Sequence, residues 1–160
     1  MKTLVAYYSL EGNCDFIAGI IAKKLGADIL KLETVKPFPT EAPAKFFRGG
    51  MSAVFKLTPK LANKNLDLSS YDNIVLGTPL WASTYAAPLN TLIKKHKFSG
   101  KKVAVFICRG GGNFDKCVDG LKKALDGNEF VGVTDFIEPL KQNKEEVTQK
   151  ANAWAESLGF

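Results

Sequence analysis

The chain has 160 residues, 46% apolar and 24% charged, the mixture of an ordinary globular protein. A domain of this size buries about 70% of the surface its unfolded chain exposes, so it folds without metal or disulfides, and a disulfide scaffold, a disordered tail and a collagen-like repeat are excluded. Basic residues outnumber acidic ones 22 to 16, a net charge of +6, and the longest apolar run, residues 16–22, is far short of the about 20 residues that cross a bilayer, so membrane insertion is not expected.

In chain order, residues 3–8 form a nearly continuous apolar run, the pattern of a strand covered on both faces. Ser9, Glu11 and Asn13 follow at once, which argues against an apolar leader after Lys2. Residues 27–32 are more mixed and suit an edge strand. The connection 33–72 is irregular: it carries Phe38, Phe46, Phe47 and Phe55, and Gly49 and Gly50 are expected to interrupt any helix through it. Residues 73–78 and 103–108 are two further buried strands. Between them Pro88 suits a first helical turn before Leu89, Leu92 and Ile93. Phe114, Val118, Leu121 and Leu125 recur at helical spacing, and so do Val147, Ala151, Trp154 and Leu158 after an N-cap at Asn143. Residues 130–137 supply a second edge strand. Five strands separated by helices predict one α/β domain over residues 1–160, built on a parallel sheet.

No acid lies between Asp72 and Asp115, whereas Lys94, Lys95, Lys97, Lys101, Lys102 and Arg109 do. No aromatic residues alternate with these lysines as they would in a base-stacking groove, so a solvated helix end is favoured over a nucleic-acid partner. Cys14, Cys108 and Cys117 form no Cys-x-x-Cys pair, and there is one histidine. The expectation is three reduced thiols in a cytoplasmic protein, with no metal site.

Ligands of such folds sit beyond the carboxyl ends of the strands, where three loops are informative. Ser9-Leu10-Glu11-Gly12-Asn13-Cys14 leads into a helix and offers free amides, a positive dipole end and two polar side chains. It is a phosphate cradle without lysine or arginine. Neither a nucleotide-hydrolysing P-loop nor a G-x-G-x-x-G turn is present. Thr78-Pro79-Leu80-Trp81-Ala82-Ser83-Thr84 sets a tryptophan on a stiff segment, either as a ligand platform or as packing beneath the irregular connection. Arg109-Gly110-Gly111-Gly112-Asn113-Phe114 has three successive glycines, as suits a backbone lying flat against a ring. Together the loops predict a site for a flat, phosphorylated heterocycle.

The runs Val5-Ala6-Tyr7-Tyr8-Ser9-Leu10-Glu11-Gly12-Asn13 and Ile74-Val75-Leu76-Gly77-Thr78-Pro79-Leu80-Trp81-Ala82, continued through Tyr85-Ala86-Ala87-Pro88-Leu89, resemble the phosphate loop and second flavin loop of the flavodoxin family. The likeness spans the chain and is to the short-chain members. It implies a three-layer, doubly wound, five-stranded parallel sheet of order 2-1-3-4-5, one non-covalent FMN, and electron transfer between redox partner proteins. By the same resemblance Ser9, Leu10, Glu11, Gly12, Asn13 and Cys14 hold the phosphate. Thr78, Pro79, Leu80, Trp81 and Ala82 line one side of the isoalloxazine, and Arg109, Gly110, Gly111 and Gly112 its pyrimidine edge. Cys14 stands where the family usually has a hydroxyl, Phe114 is the one candidate for its second stacking aromatic, and the rim is neutral to basic where the family is acidic. The resemblance also implies a peptide that turns over beside the flavin on reduction. Here that segment reads Ala82-Ser83-Thr84, and without glycine a left-handed conformation in it is disfavoured. Two other functions fit the same residues: a flavodoxin-like NAD(P)H-dependent quinone or FMN oxidoreductase, and an FMN-free module binding through its basic face.

Overall fold

A computed structural model describes residues 1–64, 66–96 and 98–160, so the Lys97 of the basic stretch lies outside the described residues. Its elements are β1 (Thr3–Tyr7), α1 (Asn13–Leu25), β2 (Asp28–Lys31), α2 (Ala44–Val54), β3 (Asn73–Trp81), β4 (Thr84–Tyr85), α3 (Ala87–Lys95), β5 (Lys102–Arg109), α4 (Asp115–Ala124), β6 (Glu129–Ile137), a 3-10 turn (Pro139–Lys141) and α5 (Lys144–Ser157). The five long strands are parallel in the order β2-β1-β3-β5-β6. With the two-residue β4 set aside, this is the expected 2-1-3-4-5. β4 was not foreseen; it folds back antiparallel on the end of β3, pairing Leu80 with Tyr85 and Trp81 with Thr84.

Side-chain alternation along the strands divides the core into two layers. Leu4, Ile74, Leu76, Val103, Val105 and Ile107 face Leu89 and Leu92 of α3 and Val118 and Leu121 of α4. Val5, Val75, Ala104 and Phe106 face Ile17 and Ile21 of α1 and Val147 and Ala151 of α5. Helices on both faces therefore bury β1, β3 and β5, while β2 and β6 form the edges. Two expected helix starts are present. Asn143 Oδ1 accepts from the amides of Glu145 (2.9 Å) and Glu146 (3.2 Å), and Pro88 lies in the first turn of α3.

At the end of β2 and just past it the outer edge is covered from the long connection. Val35 N donates to Lys60 O (2.9 Å) and Ala62 N to Glu33 O (2.8 Å). Next to them, toward β2, the Asn63 amide behaves as a peptide unit: Nδ2 donates to Lys31 O and Oδ1 accepts from Glu33 N, each at 2.8 Å.

The same connection holds a correction. Gly49 and Gly50 do not interrupt a helix but lie within α2. Glycine costs a helix interior about 1 kcal/mol, and tertiary packing outweighs that cost here. The inward face of α2 is Gly49, Ser52 and Ala53, and a Cβ on Gly49 would stand only 3.5 Å from the Trp81 ring. Small residues let the helix lie against the indole. Beyond α2, buried Asn90 donates to the carbonyls of Lys56 (2.6 Å) and Leu57 (3.0 Å), and Thr91 to that of Pro59 (2.9 Å), fastening the strap to α3.

Lys94 and Lys95 end α3 and Lys102 begins β5. They lie at the amino-terminal edge of the sheet, opposite the three loops, where Lys101 Nζ donates to Ser69 O (3.2 Å) and Tyr71 O. Among the described residues no helix is long and apolar enough to cross a membrane.

Candidate functional site

Beyond the carboxyl ends of β1, β3 and β5 opens a cavity of about 780 Å³, within the roughly 300–1,000 Å³ range of small-molecule sites. It lies where the chain reverses direction across the sheet, from β2 beside β1 to β3 on the other side.

Its first wall is the β1–α1 loop. Ser9 Oγ accepts from the amides of Gly12 (3.2 Å) and Asp15 (3.3 Å), and Gly12, with φ 92°, turns the chain into α1. Leu10, Glu11, Asn13 and Cys14 are left with amides that no protein group accepts from among the described residues. They cluster at the positive end of the α1 dipole, an arrangement that accepts an anion. The two polar side chains of the loop act here as acceptors, which leaves the Ser9 hydroxyl hydrogen and Asn13 Nδ2 without an acceptor among the described residues. The Ser9 oxygen braces the loop, and Asn13 Oδ1 accepts from Leu140 N (3.3 Å), tying the 3-10 turn to the cradle. Cys14 reaches the cavity floor beside Cys108; burial pushes its thiol well above the ordinary value, so it stays a neutral thiol.

Below the loop, Tyr7 Oη donates to Asp15 Oδ1 (2.8 Å), and Lys31 pairs with the same carboxylate (2.8 Å). Partial burial pushes Asp15 up, but the hydrogen bonds from Lys31 and Tyr7 outweigh it and hold the carboxyl below its ordinary value. A carboxyl depressed in the folded state adds stability that is present above the unfolded pKa of about 3.9 and is lost as the pH falls through the lower folded value. In Asp15→Asn, stability should therefore vary less with pH on the acid side of about pH 4, and the neutral-pH protein should be less stable than wild type. Urea midpoints measured as a function of pH check both.

The second wall is the β3–β4 hairpin. Thr78 is buried behind it, its hydroxyl accepting from Ala86 N and donating to Pro79 O, both at 2.9 Å. Pro79, Leu80, Trp81 and Ala82 line the cavity. Trp81 combines both readings of its loop: it lines the site and also packs edge-on against Tyr8 (5.5 Å) and Phe38 (5.1 Å), beneath α2. The turn itself runs against expectation. Ala82 (φ 47°) and Ser83 (φ 63°) are both left-handed, as a two-residue hairpin with right-twisted strands requires, although glycine or asparagine is the usual occupant. Closure of the hairpin by β3–β4 pairing and the Thr78 bonds holds them there at about 1 kcal/mol each. Ala82→Gly should accordingly raise stability by about 1 kcal/mol, read as a higher urea midpoint with an unchanged slope.

The third loop differs from its prediction. Arg109 and Gly110 line the cavity, whereas Gly111 and Gly112, like Gly12 and Thr78, do not. A Cβ on Gly110, Gly111 or Gly112 would meet nothing, and only Gly112 (φ 77°) needs glycine for its backbone. Arg109 folds the loop onto the sheet: Nε pairs with Asp135 (2.7 Å), Nη1 donates to Gly112 O (2.9 Å), and the guanidinium lies 5.1 Å from the Phe114 ring centroid. Phe114 serves that stack and the core, outside the cavity.

Two walls come from residues not singled out as cavity lining by the sequence. α2 supplies Lys45, Phe46 and Gly50, with Lys45 ion-paired to Glu11 across the opening; the 3-10 turn region supplies Glu138, Leu140 and Lys141. The aromatic content of the long connection was the available signal for the first. None was present for the second. Lys45 and Lys141 bring cations to a cradle whose own loop has none, each paired to a carboxylate of the same cavity, Glu11 and Glu138.

The Flavodoxin family profile matches residues 2–154. Solved structures of similar fold include a protein of Bacteroides uniformis ATCC 8492 (24% identity, 93% of this chain and 96% of that one, TM-score 0.77). Another is a flavoprotein of Lactobacillus acidophilus NCFM solved in complex with FMN (23% identity, 96% and 98%, TM-score 0.76). A third is oxidised Flavodoxin 2 of Bacillus cereus (22% identity, 99% and 98%, TM-score 0.63).

Proposed function

The chain belongs to the flavodoxin family, and from that premise we propose that it holds one FMN in the cavity at the carboxyl edge of its sheet and carries electrons between larger redox proteins. The observation that carries this reading is the set of four amides, on Leu10, Glu11, Asn13 and Cys14, that have no acceptor among the described residues and lie at the positive end of α1. They suit the phosphate, and the apolar faces of Leu80, Trp81 and Ala82 beside them suit the isoalloxazine. Bound FMN supplies the capacity to take up and release one or two electrons. The chain's own residues do the rest. Ser9 braces the loop that carries the amides. Trp81, backed by Tyr8, Phe38 and Gly49, offers a stiff wall that would exclude water from one side, and Arg109 braces the loop whose Gly110 would face the ring's polar edge. Gly12 and Thr78 contribute by shaping the first and second loops, and Gly112 by giving the third its turn.

Titration of the apoprotein with FMN and with riboflavin, followed by flavin fluorescence, tests the reading. FMN should bind at least a hundredfold more tightly, because the amides are satisfied by the phosphate alone. Equal affinities would remove the phosphate from the β1–α1 loop. The carrier role is tested separately: the holoprotein should oxidise NAD(P)H negligibly in the presence of a quinone, whereas steady turnover would make it a reductase.

A further inference from the structure

The outward face of α2 is an apolar surface that the flavin site does not use. Phe47, Met51, Val54 and Phe55 recur at the spacing of one helix face, but that face points to solvent, with Phe47 70%, Val54 56% and Phe55 63% exposed. The small residues Gly49, Ser52 and Ala53 occupy the face turned to the protein. A contiguous exposed apolar stripe of this kind marks an interaction surface. Its surroundings are one-signed: residues 36–60 carry Lys36, Lys45, Arg48, Lys56 and Lys60 against the single carboxylate of Glu41. Apart from Lys45, held by Glu11, none of these cations has a carboxylate partner among the described residues.

We propose that this face is where the redox partner docks, and that the partner is a protein whose own contact patch is apolar at its centre and acidic at its rim. The inference rests on the carrier reading and specifies the partner. Charge complementarity selects the occupant. A second copy would bring two such faces together about a two-fold axis, setting Arg48 and Lys56 against their own like. Continuity with the site selects a redox role. Lys45, Phe46 and Gly50 of the same helix line the cavity, so whatever seats on the outward face of α2 lies directly beside the mouth of the flavin site. The lysines at the opposite edge of the sheet have no such continuity.

The test uses the FMN-reconstituted protein and a reduced plant-type [2Fe–2S] ferredoxin as a strongly acidic donor. One electron leaves each reduced cluster and enters the oxidised holoprotein, with no bond made or broken, and the rate is followed by stopped flow. Two variants keep clear of the cavity: Phe47→Ser/Phe55→Ser and Arg48→Glu/Lys56→Glu. Each should slow reduction by ferredoxin at least tenfold. The wild-type rate should fall with added salt, and that dependence should vanish or reverse in the charge-reversed variant. FMN affinity and direct reduction by dithionite should stay within twofold of wild type. With basic cytochrome c as acceptor, charge reversal should speed transfer rather than slow it. Unchanged ferredoxin rates in both variants would overturn the proposal. So would self-association of the wild type that the Phe variant abolishes, or binding to phosphatidylserine vesicles that both variants abolish while ferredoxin rates stand. A holoprotein that accepts no electron even from dithionite would instead overturn the carrier reading, and this proposal with it.

Discussion

Gly77→Ala should destabilise the protein by at least about 3 kcal/mol, the upper end of what an overpacked core costs. β3 passes between β1 and β5 at this residue, paired with Tyr7 on one side and Phe106 on the other. A Cβ built on Gly77 would stand 2.1 Å from Phe106 Cζ, 2.5 Å from Cε1 and 2.7 Å from Tyr7 Cβ. No rotamer relieves this. Phe106 is fully buried in the layer under α1 and α5, and Tyr7 Cβ is fixed by the backbone of β1. A loss of that size is a large part of the 5–15 kcal/mol that holds a typical domain together, and corresponds to a melting point about 10 °C lower. Calorimetry measures it. Phe106→Leu in the same chain should restore part of the loss by vacating the space, as a double-mutant cycle would register. Gly111→Ala, where an added methyl meets nothing, is the control and should be nearly neutral.

Gly12→Val should weaken FMN binding at least a hundredfold while leaving riboflavin affinity nearly unchanged. The cause is conformational. Gly12 does not itself line the cavity, and an added Cβ would make an ordinary 3.4 Å contact with Leu140. Its φ of 92° is what valine cannot adopt without strain. To relieve it the loop must unwind, Ser9 loses its bond from the Gly12 amide, and the free amides on either side no longer point to one place. Phosphate recognition then fails while the ring wall persists. Fluorescence titration with both flavins separates this outcome from collapse of the site, in which both affinities would fall together.

Local rules carried the sequence reading through most of the fold. Apolar runs at 73–78 and 103–108 and helical spacing around Val118 and Val147 were strong signals, because burial on one or two faces dictates residue type directly. Gly49 and Gly50 misled because helix propensity is weak and a tertiary neighbour, the Trp81 ring, decided the matter. β4 was missed for a related reason: Ala82 and Ser83 carry none of the glycine that marks a two-residue hairpin, and pairing and the Thr78 bonds impose the turn instead. The β1–α1 loop was legible as an anion cradle because it is contiguous in sequence. Its cavity is not contiguous. Lys45 and Lys141 reach it from distant elements; the phenylalanines beside Lys45 are the one signal of its approach, and nothing near Lys141 marks the other.

The side chain of Asn63 has a consequence for how the protein behaves in crowded solution. β2 is a short edge strand, and the last stretch of an edge is where a foreign strand would add, since its carbonyls and amides lie open to pairing. Asn63 fills that place at Lys31 and Glu33 with a side-chain amide of the same chain that, among the described residues, has no further strand behind it. The sheet is thereby stopped by a cap that cannot itself be extended. Asn63→Ala leaves the two backbone groups vacant at little cost to folding, and the variant should form thioflavin-positive aggregates sooner than wild type at equal stability. The residue guards solubility more than it guards the fold.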